Sequence, residues 1–194
     1  MEKLKIIFIG DGGIGKTTLL FTYDEKKLLG EYIPTVFDTF SKKFQIEENQ
    51  EIEISFWDMA RFDYDDRLLP LYFPQTDVIV FCFAIDRYAS FENIESVWIP
   101  EIGKYIPKYS KRILVGTKMD LRNNQKRINE LKERNEKFVT KEEGIELAKK
   151  INAIKYFECS SFNQKGIETI FNEIALICVG KYDKEERKKG CILN

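Results

Sequence analysis

The sequence predicts an α/β fold, with a six-stranded, mostly parallel sheet, one antiparallel edge strand and helices on both faces. Three observations carry that reading. Short, almost wholly apolar runs recur along the chain, as in Leu4–Ile9 and Val78–Phe83, and such runs suit strands buried on both faces. Longer helix-like stretches lie between these runs, and strand–helix alternation implies parallel pairing. Only one pair of segments, 39–46 and 51–57, alternates apolar with polar residues, and Glu47-Glu48-Asn49-Gln50 joins the two as a hairpin.

The elements follow in order. Residues 4–9 read as a buried strand, then a glycine-rich turn, then a helix from about Lys16. The hairpin comes next, followed by strands at 77–83, 111–116 and 154–159. Helices are expected near 88–105, 140–151 and 165–180. Residues 122–137 are almost entirely polar, with Ile128 and Leu131 three apart, and read as a short exposed helix set into a loop. That segment is open to two readings, a solvated charge run or a partner-binding element. A single domain over 1–180, with its insert at 122–137, and a flexible basic tail over 181–194 complete the plan.

Composition narrows the function classes. With 43% hydrophobic and 32% charged residues the chain has the make-up of a folded globule rather than a disordered one. A net charge of −1 gives no reason to expect nucleic acid as a partner, and a monomer is expected. The absence of histidine excludes His-based triads and His-ligated metals from this chain. Cys82, Cys159, Cys178 and Cys191 form no CxxC pair and fit a reducing cytosol. No apolar run approaches the ~18–20 residues of a membrane span, and the start of the chain does not read as a signal peptide.

The motif with the clearest chemistry is Gly10-Asp11-Gly12-Gly13-Ile14-Gly15-Lys16-Thr17. It matches GxxxxGK[ST] between a buried strand and a helix, the context in which such a loop cradles phosphates. Glycines let backbone N–H groups approach the anion, and the helix that follows turns its positive end to the same place. Lys16 is then expected on the β- and γ-phosphates and Thr17 on Mg²⁺. The base is selected by Thr117-Lys118-Met119-Asp120, just after a predicted strand. The Asp120 carboxylate can accept from guanine N1–H and the 2-amino group together, a donor pair that adenine lacks. The Lys118 stem is expected across the base plane.

With these stretches the chain resembles a Rho/Rac-type small GTPase of the Ras superfamily, a Ras-like G domain of the P-loop NTPase class, over residues 3–180 and at its tail. Gly30-Glu31-Tyr32-Ile33-Pro34-Thr35-Val36-Phe37-Asp38 looks like the first switch, and Trp57-Asp58 like the start of the second. Pro74-Gln75-Thr76-Asp77, Ser90-Phe91-Glu92-Asn93 and Val115-Gly116-Thr117-Lys118-Met119-Asp120-Leu121 are similar to Rho sequences, and the segment 122–137 falls where Rho proteins carry an extra helix. Glu158-Cys159-Ser160-Ser161 resembles the loop whose backbone N–H meets guanine O6.

The resemblance implies GTP or GDP with Mg²⁺ as cofactors. It implies a nucleotide pocket of Gly12, Gly13, Gly15, Lys16, Thr17, Thr18, Leu28, Tyr32, Thr35, Thr117, Lys118, Asp120, Leu121, Ser160 and Ser161. Mg²⁺ would be held by Thr17, Thr35 and, through a water, Asp58. Effectors such as kinases, actin-nucleating proteins or scaffolds would dock on Tyr32–Asp38 and the second switch. Exchange factors and a dissociation-inhibitor chaperone are implied as further partners. A P-loop nucleotide kinase is the competing class, and Thr117–Asp120 together with the tail argues against it.

Departures from the family pattern are as informative. The second switch of the family reads Trp-Asp-Thr-Ala-Gly-Gln-Glu, whereas this chain has Trp57-Asp58-Met59-Ala60-Arg61-Phe62-Asp63. Phe62 stands at the position of the glutamine that orients the attacking water, and it has no group that can do so. No catalytic residue is therefore assigned, and hydrolysis too slow to end a signal is expected. Arg61 stands at the glycine position; as an internal arginine finger it would still lack a partner to place the water. The alternatives are an ordinary switch that hydrolyses GTP through another arrangement and a GTP-loaded binding scaffold with no switching. Leu28 replaces a phenylalanine that packs on the base, a contact type worth about 0.5–1.5 kcal/mol, so faster nucleotide exchange is expected.

The tail ends Cys191-Ile192-Leu193-Asn194 after Arg187-Lys188-Lys189-Gly190. This fits a C-a-a-X prenylation box on Cys191 with a modest basic patch, the two-signal arrangement for reversible membrane binding. Farnesyl and geranylgeranyl both stay open. The expected location is the cytoplasm, peripheral on the inner face of the plasma membrane.

Overall fold

A computed structural model describes residues 2–26, 37–47, 50–60, 69–178 and 180. Strands β1 (Glu2–Gly10), β2 (Phe37–Glu47), β3 (Gln50–Ala60), β4 (Val78–Ala84), β5 (Lys111–Thr117) and β6 (Lys155–Glu158) form a single six-stranded sheet ordered β2-β3-β1-β4-β5-β6. All neighbours pair in parallel except the hairpin β2/β3, which leaves β2 as the antiparallel edge. The mostly parallel sheet expected from the sequence is present, with its edge strand where the alternating segments lie.

The helices are α1 (Lys16–Glu25), α2 (Leu69–Tyr72), α3 (Tyr88–Asn93), α4 (Ile99–Ile102), α5 (Gln125–Glu133), α6 (Lys141–Lys150) and α7 (Ile167–Cys178). Alternate residues of β1, β4 and β5 feed two cores. Leu4, Ile6 and Phe8 of β1 face α1 and α7, packing with Leu19, Tyr23 and Phe171. Ile7 and Ile9 face the other way, into a core with Trp98 and Leu147. A strand with both faces covered has no polar face to display, which is why these runs are almost wholly apolar.

Two features differ from the sequence-level expectation. The one-turn helix α2 was not foreseen, because four residues give too short a window for periodicity. The helix expected near 88–105 is interrupted by a π-helical turn at Ile94–Trp98, between α3 and α4. Among the described residues no helix is long and apolar enough to cross a membrane. Cys82 and Cys159 are buried free thiols, and burial pushes Cys82 up to about 12, so neither is poised as a nucleophile.

Helix α6 opens with a capping box, Thr140 Oγ1 accepting from the Glu143 amide (3.1 Å) and Glu143 accepting from the Thr140 amide (2.8 Å). Burial works against the Glu143 charge, but hydrogen bonds from Lys137 (2.6 Å), the Thr140 amide and Tyr88 (2.9 Å) prevail and hold its carboxyl down to about 2. A carboxylate depressed on folding adds stability above its unfolded value near pH 4.5 and loses it as pH falls toward the folded value. Glu143→Gln should therefore cost about 1 kcal/mol at pH 7, a figure reduced for solvent screening. More than half of that difference should vanish by pH 3. Urea unfolding of both proteins at the two pH values checks this; an equal difference at both would show that the charge plays no part.

Candidate nucleotide-binding site

The C-terminal ends of β1, β3 and β5 bring together Gly10, Asp58 and Thr117, and ligands of open α/β sheets bind at that edge. Gly10 leads out of β1, and a Cβ there would lie 2.2 Å from the Cys82 carbonyl oxygen, so no side chain fits. Gly15 has φ 97°, a left-handed conformation that glycine adopts without strain, and it turns the chain into α1. The loop therefore sits directly over the positive end of a ten-residue helix.

Lys16 is 4% exposed, and its Nζ donates to the carbonyls of Gly10 (2.8 Å) and Asp11 (2.8 Å), arching back over the loop. Burial lowers its pKa, with Asp58 the largest opposing charge. Such an ammonium gains from an added anion, the role expected of it toward the phosphates. Thr17 Oγ1 donates to Asp58 Oδ2, so the two described members of the expected Mg²⁺ set touch each other across β3 and α1. A hydroxyl and a carboxylate, with Asp58 2% exposed, are the hard oxygen donors that Mg²⁺ takes, and the residues fit that ion. Bound there, it would neutralise phosphate charge. Among the described residues no cluster of three or more His, Cys, Asp or Glu offers a different metal site.

The base side is equally connected. Lys118 adopts a left-handed φ of 60° and its Nζ donates to Gly13 O (2.9 Å), linking the base loop to the phosphate loop. Burial lowers its pKa, with Asp86 the strongest charge acting against that. Thr117 is buried, and its hydroxyl lies between the carbonyls of Ile14 and Phe83 (3.0 Å). Ser160 Oγ donates to Asp120 Oδ1, which orients the carboxylate expected to read guanine. The Ser160 amide is bonded to Lys165 O (3.0 Å) and is not available for the O6 contact expected of this loop. Behind this loop Glu158 accepts from both Arg122 and Tyr156 (2.6 Å), and Arg122 also donates to Val139 O (2.7 Å).

Sequence reasoning missed Asp11, which the motif treats as a variable position. Its carboxylate accepts from Asn93 Nδ2 (2.8 Å), Trp98 Nε1 (2.8 Å) and Arg87 Nη2 (3.3 Å), and Arg87 also donates to Gly12 O (3.0 Å). Residues five apart would point about 140° away from each other on an α-helix. The π-helical turn closes that angle, so Asn93 and Trp98 reach the same carboxylate. No local sequence pattern announces this; only the spacing of three polar groups around one acid does, once the helix is in place.

Leu28, Tyr32, Thr35, Arg61, Phe62 and Cys191 lie outside the described residues, as do the rest of 27–36 and 61–68 and the tail 181–194. The structure gathers the others, Gly12 to Thr18 from the loop and α1, Thr117 to Leu121 from β5 and the turn after it, and Ser160 with Ser161 beyond β6. A sequence model of the Ras family matches residues 5–179, and the chain belongs to that family, whose members are small GTP-binding switch proteins.

Proposed function

We propose that this chain is a Rho-type GTP-binding protein that loads GTP with Mg²⁺, cleaves it very slowly and signals from a membrane surface. The observation that carries the proposal is Phe62 at the water-orienting position, with Arg61 beside it where glycine is usual. Helix α5, set within the polar segment 122–137, supports the Rho branch. Tyr32–Asp38 and the second switch serve as the docking surface for effectors of the actin cytoskeleton, under control of exchange factors and a dissociation-inhibitor chaperone. Residues 1–180 form the GTP-binding unit, and 181–194 carry the prenylated Cys191 to the plasma membrane. Leu28 supports a looser hold on nucleotide than phenylalanine would give.

The test is to load purified protein with GTP and Mg²⁺ and follow the nucleotide it releases over hours. Persistent GTP is expected; prompt GDP would make the chain an ordinary timed switch. Release of a fluorescent GDP analogue, measured alongside, should be faster than from Rho proteins with phenylalanine at this position, and an equal rate would remove the Leu28 argument. Intact mass of the cellular protein reports the lipid on Cys191, and an unmodified full-length chain would dismiss the anchor.

A further inference from the structure

The turn between β4 and α3 carries two charges that the nucleotide chemistry above does not use. Asp86 is 6% exposed and is paired with Arg127 of α5. Its Oδ2 accepts from Arg127 Nε (2.8 Å) and its backbone carbonyl from Arg127 Nη2 (3.0 Å). Arg127 is set in the first turn of α5, which Asn124 caps by accepting from the Arg127 amide (3.0 Å), and it also donates to Glu130 (3.0 Å). The next residue, Arg87, grips the phosphate loop at Asp11 and Gly12. One dipeptide therefore joins the inserted helix to the loop that holds the phosphates.

We propose that Asp86, Arg87 and Arg127 form a latch through which helix α5 sets the rate of nucleotide release. The second carboxylate oxygen of Asp86, Oδ1, is buried and has no hydrogen-bond partner among the described residues. With Arg127 in place the charge is compensated from the side of α5. With Arg127 withdrawn, a buried carboxylate is left unpaired, a state strongly disfavoured in a protein interior. Lys118 is a second cation within reach of this charge, and Asp86 is the strongest attractive charge that it feels. The carboxylate then competes with Gly13 O for the Lys118 ammonium, and Lys118 is the bond between the base loop and the phosphate loop. A partner that engages α5 through an acidic group would draw Arg127 off Asp86 and release nucleotide without touching either switch. Asp86, Arg87 and Arg127 are positioning residues, since they act through Lys118 and the loop. The latch is independent of Phe62 and of hydrolysis.

The test uses the full chain loaded with a fluorescent GDP analogue in Mg²⁺, chased with unlabelled GDP. Arg127→Ala should speed release by about tenfold, the change expected when a buried charge loses its partner. Arg127→Lys, which keeps the charge but not the two-point grip, should fall between wild type and Arg127→Ala. Asp86→Asn combined with Arg127→Ala should return the rate to within about twofold of wild type, because no unpaired charge remains to pull on Lys118. If Arg127→Ala does not fold, Arg127→Gln takes its place against the same double variant. An unchanged rate in the single variant would overturn the latch. So would a double variant as fast as the single one, since α5 would then merely support the fold.

Discussion

Asp120→Asn will weaken GTP and GDP binding by about a hundredfold or more while improving binding of xanthosine nucleotides. Ser160 donates to Asp120 Oδ1, so that side of the group must remain an acceptor. In the asparagine variant the amide oxygen keeps the Ser160 bond and the NH₂ turns toward the base. There it meets the guanine 2-amino group, donor against donor, where the carboxylate had accepted a hydrogen bond. Sites built around such a bond reject a mismatched partner by several kcal/mol, and about 2.8 kcal/mol is already a hundredfold. Xanthine carries a carbonyl at the same position, which the amide can satisfy. Competition of GDP and xanthosine diphosphate against a fluorescent GDP analogue measures both halves. GDP binding within about threefold of wild type would show that Asp120 does not read the base.

Restoring the second switch with Arg61→Gly and Phe62→Gln together should raise single-turnover GTP hydrolysis at least about tenfold, toward the roughly 10⁻⁴ s⁻¹ typical of the Ras example. The register of β3 with β1 sets Asp58 opposite Phe8, and β3 finishes at Ala60 opposite Gly10, the residue that opens the phosphate loop. A glutamine at position 62 has a carbonyl and an amide with which to hold a water; a phenyl ring has neither. Phe62→Gln alone should give part of the gain, because Arg61 still restricts the backbone where the family has glycine. A double variant no faster than wild type would show that the slow step lies elsewhere, and the proposed cause of GTP persistence would have to be given up.

How much of this was readable beforehand depends on whether a feature is local. The sheet was, because burial on both faces leaves a one-dimensional trace in Leu4–Ile9 and Val78–Phe83, and the hairpin leaves a different one at 39–46 and 51–57. The roles expected of Lys16, Thr17 and Asp120 also rest on local sequence, since a phosphate loop and a base-reading acid need particular residue types at fixed spacing within one turn. Gly144 was not readable in that way. It sits inside α6, where glycine is usually a penalty, yet a Cβ there would lie 2.3 Å from the Tyr156 ring. That ring stacks on Phe83, and its hydroxyl donates to Glu158 behind the base loop. The need for glycine comes from a strand met only after folding.

The sequence by itself determined the fold class, the phosphate loop and the preference for guanine, because apolar period and short motifs are written along the chain. The tertiary structure alone decided that Asp11 is the anchor for Asn93, Trp98 and Arg87, that Thr117 ties β5 to Ile14, and that Arg127 compensates Asp86. Each of these joins residues distant in sequence, and the energy of a buried polar contact depends on what the rest of the fold places around it.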